Sequence, residues 1–544
     1  MREKATVNAY FEQHRLQVVL WLVLTAFVAV LAPLKTFQLK WLIDSKSKQE
    51  AFSYIGVVLV ITALSHLFEW LSRKVYTRMA AGALGEVRTA VVSRVLHRTY
   101  QEYAASDDAQ LLSMLSSDAR MLYDDYYMGI FEIIFWGTMM LVAVVFFGYL
   151  SPALLLVAIL ICIPTLLIPK LMNARMVKVR SEYSIEMGEY TGRVKELLGG
   201  YEVIRNFLRE KLFQERHSEY AKRNSQKECN YQQSINAVIM SASLFSNLTL
   251  SLMLLVGVLL VYDGKITLGT MTSATNLITF VTVPCQRVTQ AFAKIRGTKE
   301  IRRKFETQMC PDVKAEAQGE PLEEVESVIC RNVAFIYPGT AKKVLQGVDM
   351  QLSRNEKIAI VGESGCGKST FAKLLYQYYP GYEGSICFGR QELRKIDRHS
   401  LYRKVGYVSQ STFLFADSIR NNICMYEPFS EEAVNEAVSL AGLQSFVASL
   451  PEGVDTILEE NGRNLSGGQR QRIGIARMII RKYALVIADE VTASLDAETT
   501  QQVMENLLHL PCTMIVITHD TSGEFMHRFD KVYRMEAGKM EWVI

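Results

Sequence analysis

Apolar runs near residues 16–42, 52–71, 129–148, 153–171, 237–261 and 268–287 constrain this chain more than any other feature. A bilayer core about 30 Å thick takes roughly 20 apolar residues to cross as a helix. Inside it every backbone N–H and C=O must find a partner within the segment, so the runs are expected to be spanning helices. The chain of 544 residues is 49% hydrophobic with a positive mean hydropathy, high for a soluble enzyme. A signal peptide is the competing reading of the first run. Residues 16–34 exceed an h-region, however, and no small-residue cleavage site follows them.

The connections at 44–51, 149–152 and 262–267 are short, whereas 72–128 and 170–236 are long and rich in Lys and Arg. The positive-inside rule therefore places the N-terminus, both long connections and the C-terminal half in the cytoplasm of a multi-pass cell-membrane protein. Neither long connection contains proline, so each is expected to be a helical hairpin continuing out of the membrane. About 30 residues out and back would reach on the order of 45 Å. The net charge of +4 gives no ground for a nucleic-acid partner. Nine cysteines with no C-x-x-C pair fit a reducing compartment and argue against structural zinc. The expected domains are a transmembrane region at 1–310, a linker at 311–326 marked by Pro311 and Pro321, and a region at 327–544 where apolar strands alternate with helices.

Two motifs in the last region point to phosphate. Gly362, Glu363, Ser364, Gly365, Cys366, Gly367, Lys368, Ser369 and Thr370 follow the apolar strand 358–361 as G-x-x-x-x-G-K-[ST]. In such a loop backbone N–H groups cradle phosphates, the lysine reaches the β and γ oxygens, and the serine hydroxyl ligates Mg²⁺. Further on, Leu465, Ser466, Gly467, Gly468 and Gln469 open a basic helix, which aims N–H groups and a positive dipole end at an anion. The apolar strand 485–488 then ends in Asp489 and Glu490, carboxylates that need a metal or a proton to justify them.

With these residues in this order the chain resembles the ATP-binding cassette (ABC) transporter family, as an exporter-type half-transporter. The resemblance places Walker A at 362–370, the glutamine loop at Gln410, the signature at 465–469, Walker B at 485–489, the D-loop at 494–496 and the switch histidine at His519. It implies a six-span α-helical transmembrane domain with long cytoplasmic extensions, followed by an α/β P-loop ATPase domain. Tyr337 sits where the family stacks an aromatic ring on adenine. Glu490 and His519 take the places of the catalytic pair, and Ser369, Gln410 and Asp489 those around Mg²⁺; Asp496 belongs to the nucleotide site. Glu459 stands where the family's usual Gly-Glu-x-Gly begins with glycine, leaving Glu460 to make the cross-domain contact. The implied cofactors are ATP and Mg²⁺. The implied partners are a second copy of the chain or a related half-transporter, membrane lipid, and a transported substrate the motifs do not name. The hairpin tips, near 102–108 and 199–207, would be coupling helices. Besides an ATP-driven exporter, the expectation leaves open an importer on the same scaffold, half of a heterodimeric pump, an ATP-gated channel and a non-transporting sensor.

Thr272, Thr275, Thr279 and Thr282, with Asn276 and Gln286, lay a polar stripe on the otherwise apolar sixth run. This stripe is the candidate cargo path, with Asn247 of the fifth run at similar depth. Bonding of the hydroxyls back to their own helix is the competing account. His66, Glu69 and Glu132 lie nearer the interface, where Trp70 and Trp136 mark an aromatic belt.

Cys366 lies inside the phosphate loop beside Lys368, a setting that activates a thiol. A small alkylating reagent is expected to inactivate ATP hydrolysis, MgATP to protect, and Cys366→Ala to be active and resistant. Inactivation of that variant at the wild-type rate would remove Cys366 from the site.

Overall fold

The computed structural model describes residues 6–106, 108–309 and 319–543. Residues 311–318, most of the expected linker, lie outside the described residues. The chain forms two units, one comprising Met1–His97 and Ser106–Pro311, the other Arg98–Ala105 and Asp312–Ile544.

The first unit is helical. Its helices Lys48–Leu96 (49 residues), Pro152–Gly199 (48 residues) and Glu210–Tyr262 (53 residues) are far longer than a bilayer demands. Roughly 50 residues at 1.5 Å each extend on the order of 75 Å, so apolar runs and polar connections share single helices. Helices Pro152–Gly199 and Glu210–Tyr262 pair through Lys227 Nζ to Glu182 (2.9 Å), Arg223 to Glu186 (3.2 Å) and stacked Tyr183 and Tyr231. Their tip carries the short helix Tyr201–Asn206, around which Tyr201, Val203, Phe207 and Leu208 are exposed.

Four described stretches are long and apolar enough to cross a membrane, namely Arg15–Ile43, Lys48–Leu96, Gln110–Leu150 and Glu210–Tyr262. The fourth expected span falls on Pro152–Gly199, where the side chains of 161–171 lie outside the described residues. The sixth is shared between Leu268–Leu277 and Thr279–Gly297. Pro284 within the latter removes an intrahelical donor.

The second unit is built on two sheets. Strands Lys343–Ser353, Ser327–Ile336, Glu383–Phe388 and Gln391–Glu392 form an antiparallel sheet in that spatial order. The larger sheet runs Lys539–Trp542, Lys531–Glu536, Lys357–Val361, Thr513–Thr518, Leu485–Asp489 and Val405–Val408, parallel except at its first pair. The central strands are apolar between their ends and buried on both faces, as a parallel sheet covered by helices requires. Register pairs Val361 with Thr518 and Ile517 with Asp489. The three chain segments leaving these strands therefore emerge side by side, at the carboxyl edge where ligands of such sheets bind.

Candidate functional site

From Val361 the chain turns through Gly362–Thr370 into helix Lys368–Leu375. Gly367, the residue before this helix, has φ 117°, and a Cβ there would lie 2.9 Å from Leu345, so only glycine serves. Lys368 is buried and donates to the carbonyls of Gly362 (2.8 Å) and Glu363 (2.9 Å), holding the loop in a ring around its ammonium. Glu363, Ser364 and Gly365 are exposed, and Cys366 is half-buried with Sγ 4.0 Å from Lys368 Nζ. The Tyr337 hydroxyl is 2.8 Å from Thr370 Oγ1.

At the next strand end Asp489 is buried, and its carboxylate accepts from Ser369 Oγ (3.1 Å) and from the Tyr407 hydroxyl (3.0 Å). Burial pushes this carboxyl up from the usual range, and the neighbouring Glu490 charge adds to the effect; the two hydroxyls pull it back. A hydroxyl and a carboxylate facing each other are hard oxygen donors, a set that suits Mg²⁺. The Gln410 amide instead reaches Glu490 Oε2 at 2.7 Å.

Glu490 has left-handed backbone, φ 52°, a conformation that costs a non-glycine residue about 1–3 kcal/mol. Its N–H bonds the Ile517 carbonyl (3.0 Å) and its carbonyl accepts from Gln471 Nε2 (2.9 Å). So anchored, its carboxylate turns between Gln410 and His519, whose Nε2 lies 2.6 Å from Oε1. His519 Nδ1 donates to the Gly362 carbonyl at 3.0 Å, tying the third strand end to the phosphate loop.

The signature residues stand apart from this cluster. Ser466 caps helix Gly467–Ile479 in a reciprocal capping box with Gln469, while the Leu465 N–H bonds Gly462. Gly468 packs against the Ser494 carbonyl, where a Cβ would come within 3.0 Å. Asp496 caps helix Ala497–Leu508 through the Thr499 N–H (2.9 Å). Among the described residues no hydrogen bond joins Leu465–Gln469 to Gly362–Thr370.

Two further residues shape the site without having been singled out by motif. Gln471 is buried and bridges Glu490 to the Ser494 N–H (3.1 Å), and Tyr407 holds Asp489. The only sequence sign of either is position: Gln471 lies one turn into the signature helix and Tyr407 three residues before Gln410.

In the helical unit, Thr272, Thr275 and Asn276 each donate to a carbonyl of their own helix, while Thr279 donates to Asn276 of the preceding helix and Thr282 to Ile278 between the two. Asn276 and Thr279 are nonetheless exposed, and Asn247 is too.

Fold and site together define a membrane-embedded ATPase, and comparison with known proteins agrees. The family profile "ABC transporter transmembrane region" matches residues 18–285, and the profile "ABC transporter" matches 345–493. An ATP-dependent lipid A-core flippase of Yersinia pestis is 27% identical over 481 residues, spanning 88% of this chain and 81% of the relative. The lactococcin-A transport/processing ATP-binding protein of Lactococcus lactis is 33% identical over 286 residues, 52% of this chain and 40% of that one. The structure of a bacterial Atm1-family ABC exporter with ATP bound shares the fold, with a TM-score of 0.80 at 23% identity, over 98% of this chain and 95% of the other. This chain belongs to the ABC transporter family, as a fused exporter-type half-transporter. It binds nucleotide, couples ATP hydrolysis to transport and is a membrane protein; the importer, channel and sensor readings are not favoured.

If Glu490 is the general base, Glu490→Gln keeps shape and hydrogen bonding but cannot take the proton. Steady-state ATPase should fall roughly 10²-fold or more with nucleotide binding retained. A variant with over half the wild-type rate would exclude Glu490 as the base.

Proposed function

We propose that two copies of this chain form the pump, each phosphate loop being completed by the other copy's signature. The observation that carries this reading is the separation just described. Gly362–Thr370, Asp489, Glu490 and His519 hydrogen-bond into one cluster, while the capped helix start at Ser466 leaves its first N–H groups unused by that cluster. A helix N-terminus with free N–H groups suits the γ-phosphate of nucleotide held elsewhere.

In this arrangement ATP is the glue between two cassettes. Lys368 and the loop N–H groups bind the β and γ phosphates and Tyr337 stacks on adenine, while Ser369, Asp489 and Gln410 would hold Mg²⁺. Mg²⁺ would neutralise charge on the β and γ oxygens. Glu490 takes the proton of the attacking water, and His519 holds the γ-phosphate and registers its departure. All of these motifs are present, so both sites of a homodimer are competent and no second polypeptide is required.

The membrane region at 1–310 carries six spans, with the N-terminus and the ATPase region at 327–544 in the cytoplasm. Nucleotide-driven closing and opening moves the spans between two states. The stripe Thr272, Thr275, Asn276, Thr279 and Thr282 lines the path. Exposure of Asn276 and Thr279 supports this assignment, since a carboxamide facing lipid is costly even with one N–H bonded to the Thr272 carbonyl. The relatives named above, a lipid A-core flippase and a lactococcin-A transport/processing protein, serve unlike cargoes with one type of ATPase, as expected when cargo choice resides outside the cassette.

Purified alone into lipid nanodiscs, the chain should hydrolyse ATP. In the same preparation, single cysteines at 272, 276, 279 and 282 in a background lacking reactive thiols should react with a water-soluble maleimide without nucleotide and be shielded by ATP. Hydrolysis only after addition of a second polypeptide would replace the homodimer with a heterodimer. Uniform inaccessibility in both states would make the stripe a packing face.

A further inference from the structure

Residues Arg98–Ala105 lie in sequence between two helices of the membrane unit, Lys48–Leu96 and Asp108–Ser113, yet they pack as part of the ATPase unit. They form the helix Tyr100–Ala104, stiffened by a complete capping box of Thr99 and Glu102. Tyr100 holds this helix in place. Its ring lies flat on Tyr378, with centroids 3.8 Å apart and planes within 4°, and meets Tyr379 edge-on at 5.8 Å.

Tyr376 and Tyr378 directly follow the helix Lys368–Leu375 that begins in the phosphate loop. Both rings contact Tyr407, Tyr376 at 5.5 Å and Tyr378 edge-on at 5.8 Å. Tyr407 stands on the strand Val405–Val408, and its hydroxyl donates to Asp489 Oδ2 at 3.0 Å while Ser369 takes Oδ1 at 3.1 Å. A contiguous set of aromatic contacts thus leads from an inserted helix to the buried carboxylate. Core packing alone would account for the rings. It does not require the hydroxyl, because phenylalanine fills the same space and would spare the interior a phenol that needs a partner.

We propose that Tyr407 is a positioning residue for Asp489, and that the chain Tyr100–Tyr378–Tyr407 makes this positioning depend on the seating of helix Tyr100–Ala104. The Tyr407 hydroxyl fixes which Asp489 oxygen faces Ser369, as partners of metal-bound carboxylates do. Unstacking Tyr100 frees Tyr378, loosens the wall against which Tyr407 rests and lets the carboxylate turn. The proposal rests on Asp489 holding the divalent cation.

The test is metal binding rather than turnover. Full-length chain in nanodiscs with AMPPNP is titrated with Mn²⁺, and free Mn²⁺ is read by its paramagnetic resonance signal; AMPPNP binding in EDTA is measured alongside. Tyr407→Phe should weaken Mn²⁺ binding about tenfold, in line with losses of partners to metal ligands, and leave metal-free nucleotide binding unchanged. Tyr100→Ala should weaken it roughly threefold and add nothing in the Tyr407→Phe background, as expected if it acts through Tyr407. Wild-type Mn²⁺ affinity in Tyr407→Phe, or independent additive losses in the double variant, would overturn the proposal. Asp489→Asn separates the two levels. Retained Mn²⁺ affinity there overturns the metal assignment itself, whereas its loss alongside an unaffected Tyr407→Phe overturns only the role of Tyr407.

Discussion

The site depends on parallel register. Val361 pairs with Thr518 and Ile517 with Asp489, so three segments far apart in sequence leave one sheet edge together. A register slip would turn each strand's side chains to the opposite face and separate Asp489 from Ser369. Nearly everything else at the site is a local response to that edge: a glycine where the backbone must turn left-handed, a lysine folded back on two carbonyls, and a glutamate whose strained backbone is held by Gln471. The strain is small against what a packed parallel core supplies. The six buried strand-centre residues Ile358, Ile360, Ile487, Ile515, Val486 and Val516 each add about 1.5–3 kcal/mol by leaving water.

The membrane unit follows a different rule. In lipid the backbone must satisfy itself, and that demand favours unbroken helices. The helix of 53 residues at Glu210–Tyr262 carries the rule on beyond its apolar part, where the apolar reason for it has gone. There Lys227–Glu182 and Arg223–Glu186 align it with its neighbour; Glu186 is buried under Arg223, whereas the exposed Lys227–Glu182 pair contributes only about 0–1 kcal/mol. Length and stiffness are thus better secured by the continuous backbone than by these ion pairs.

Much of the candidate site was legible in the sequence because its chemistry is written locally. A glycine-rich loop after an apolar strand, two carboxylates at a strand end and a capped basic helix each need only a few consecutive residues. What was not legible depends on contacts between distant segments. Gln471 reads as one polar residue of a basic helix, and only the fold brings its amide to Glu490 and Ser494. Tyr407 reads as a strand aromatic, and nothing in the sequence turns its hydroxyl toward Asp489. Helical hairpins were legible from composition and a coupling helix near 102–108 from the resemblance, but the pairing of Tyr100 with Tyr378 was not, since those rings meet only after folding. Hydropathy marked the sixth run but not its interruption after Leu277.

The central claim is that a phosphate loop of one copy and a signature of the other make one site. A mixed dimer, isolated through two different tags, tests it most directly: one chain carries Lys368→Ala and the other Ser466→Arg. Each variant alone damages every site of its homodimer and should be inactive. The mixed dimer retains one complete site, formed by Lys368 of the second chain and Ser466 of the first, and should hydrolyse ATP above either parent. A mixed dimer as inactive as its parents, or a Ser466→Arg homodimer running at the wild-type rate, would contradict the account.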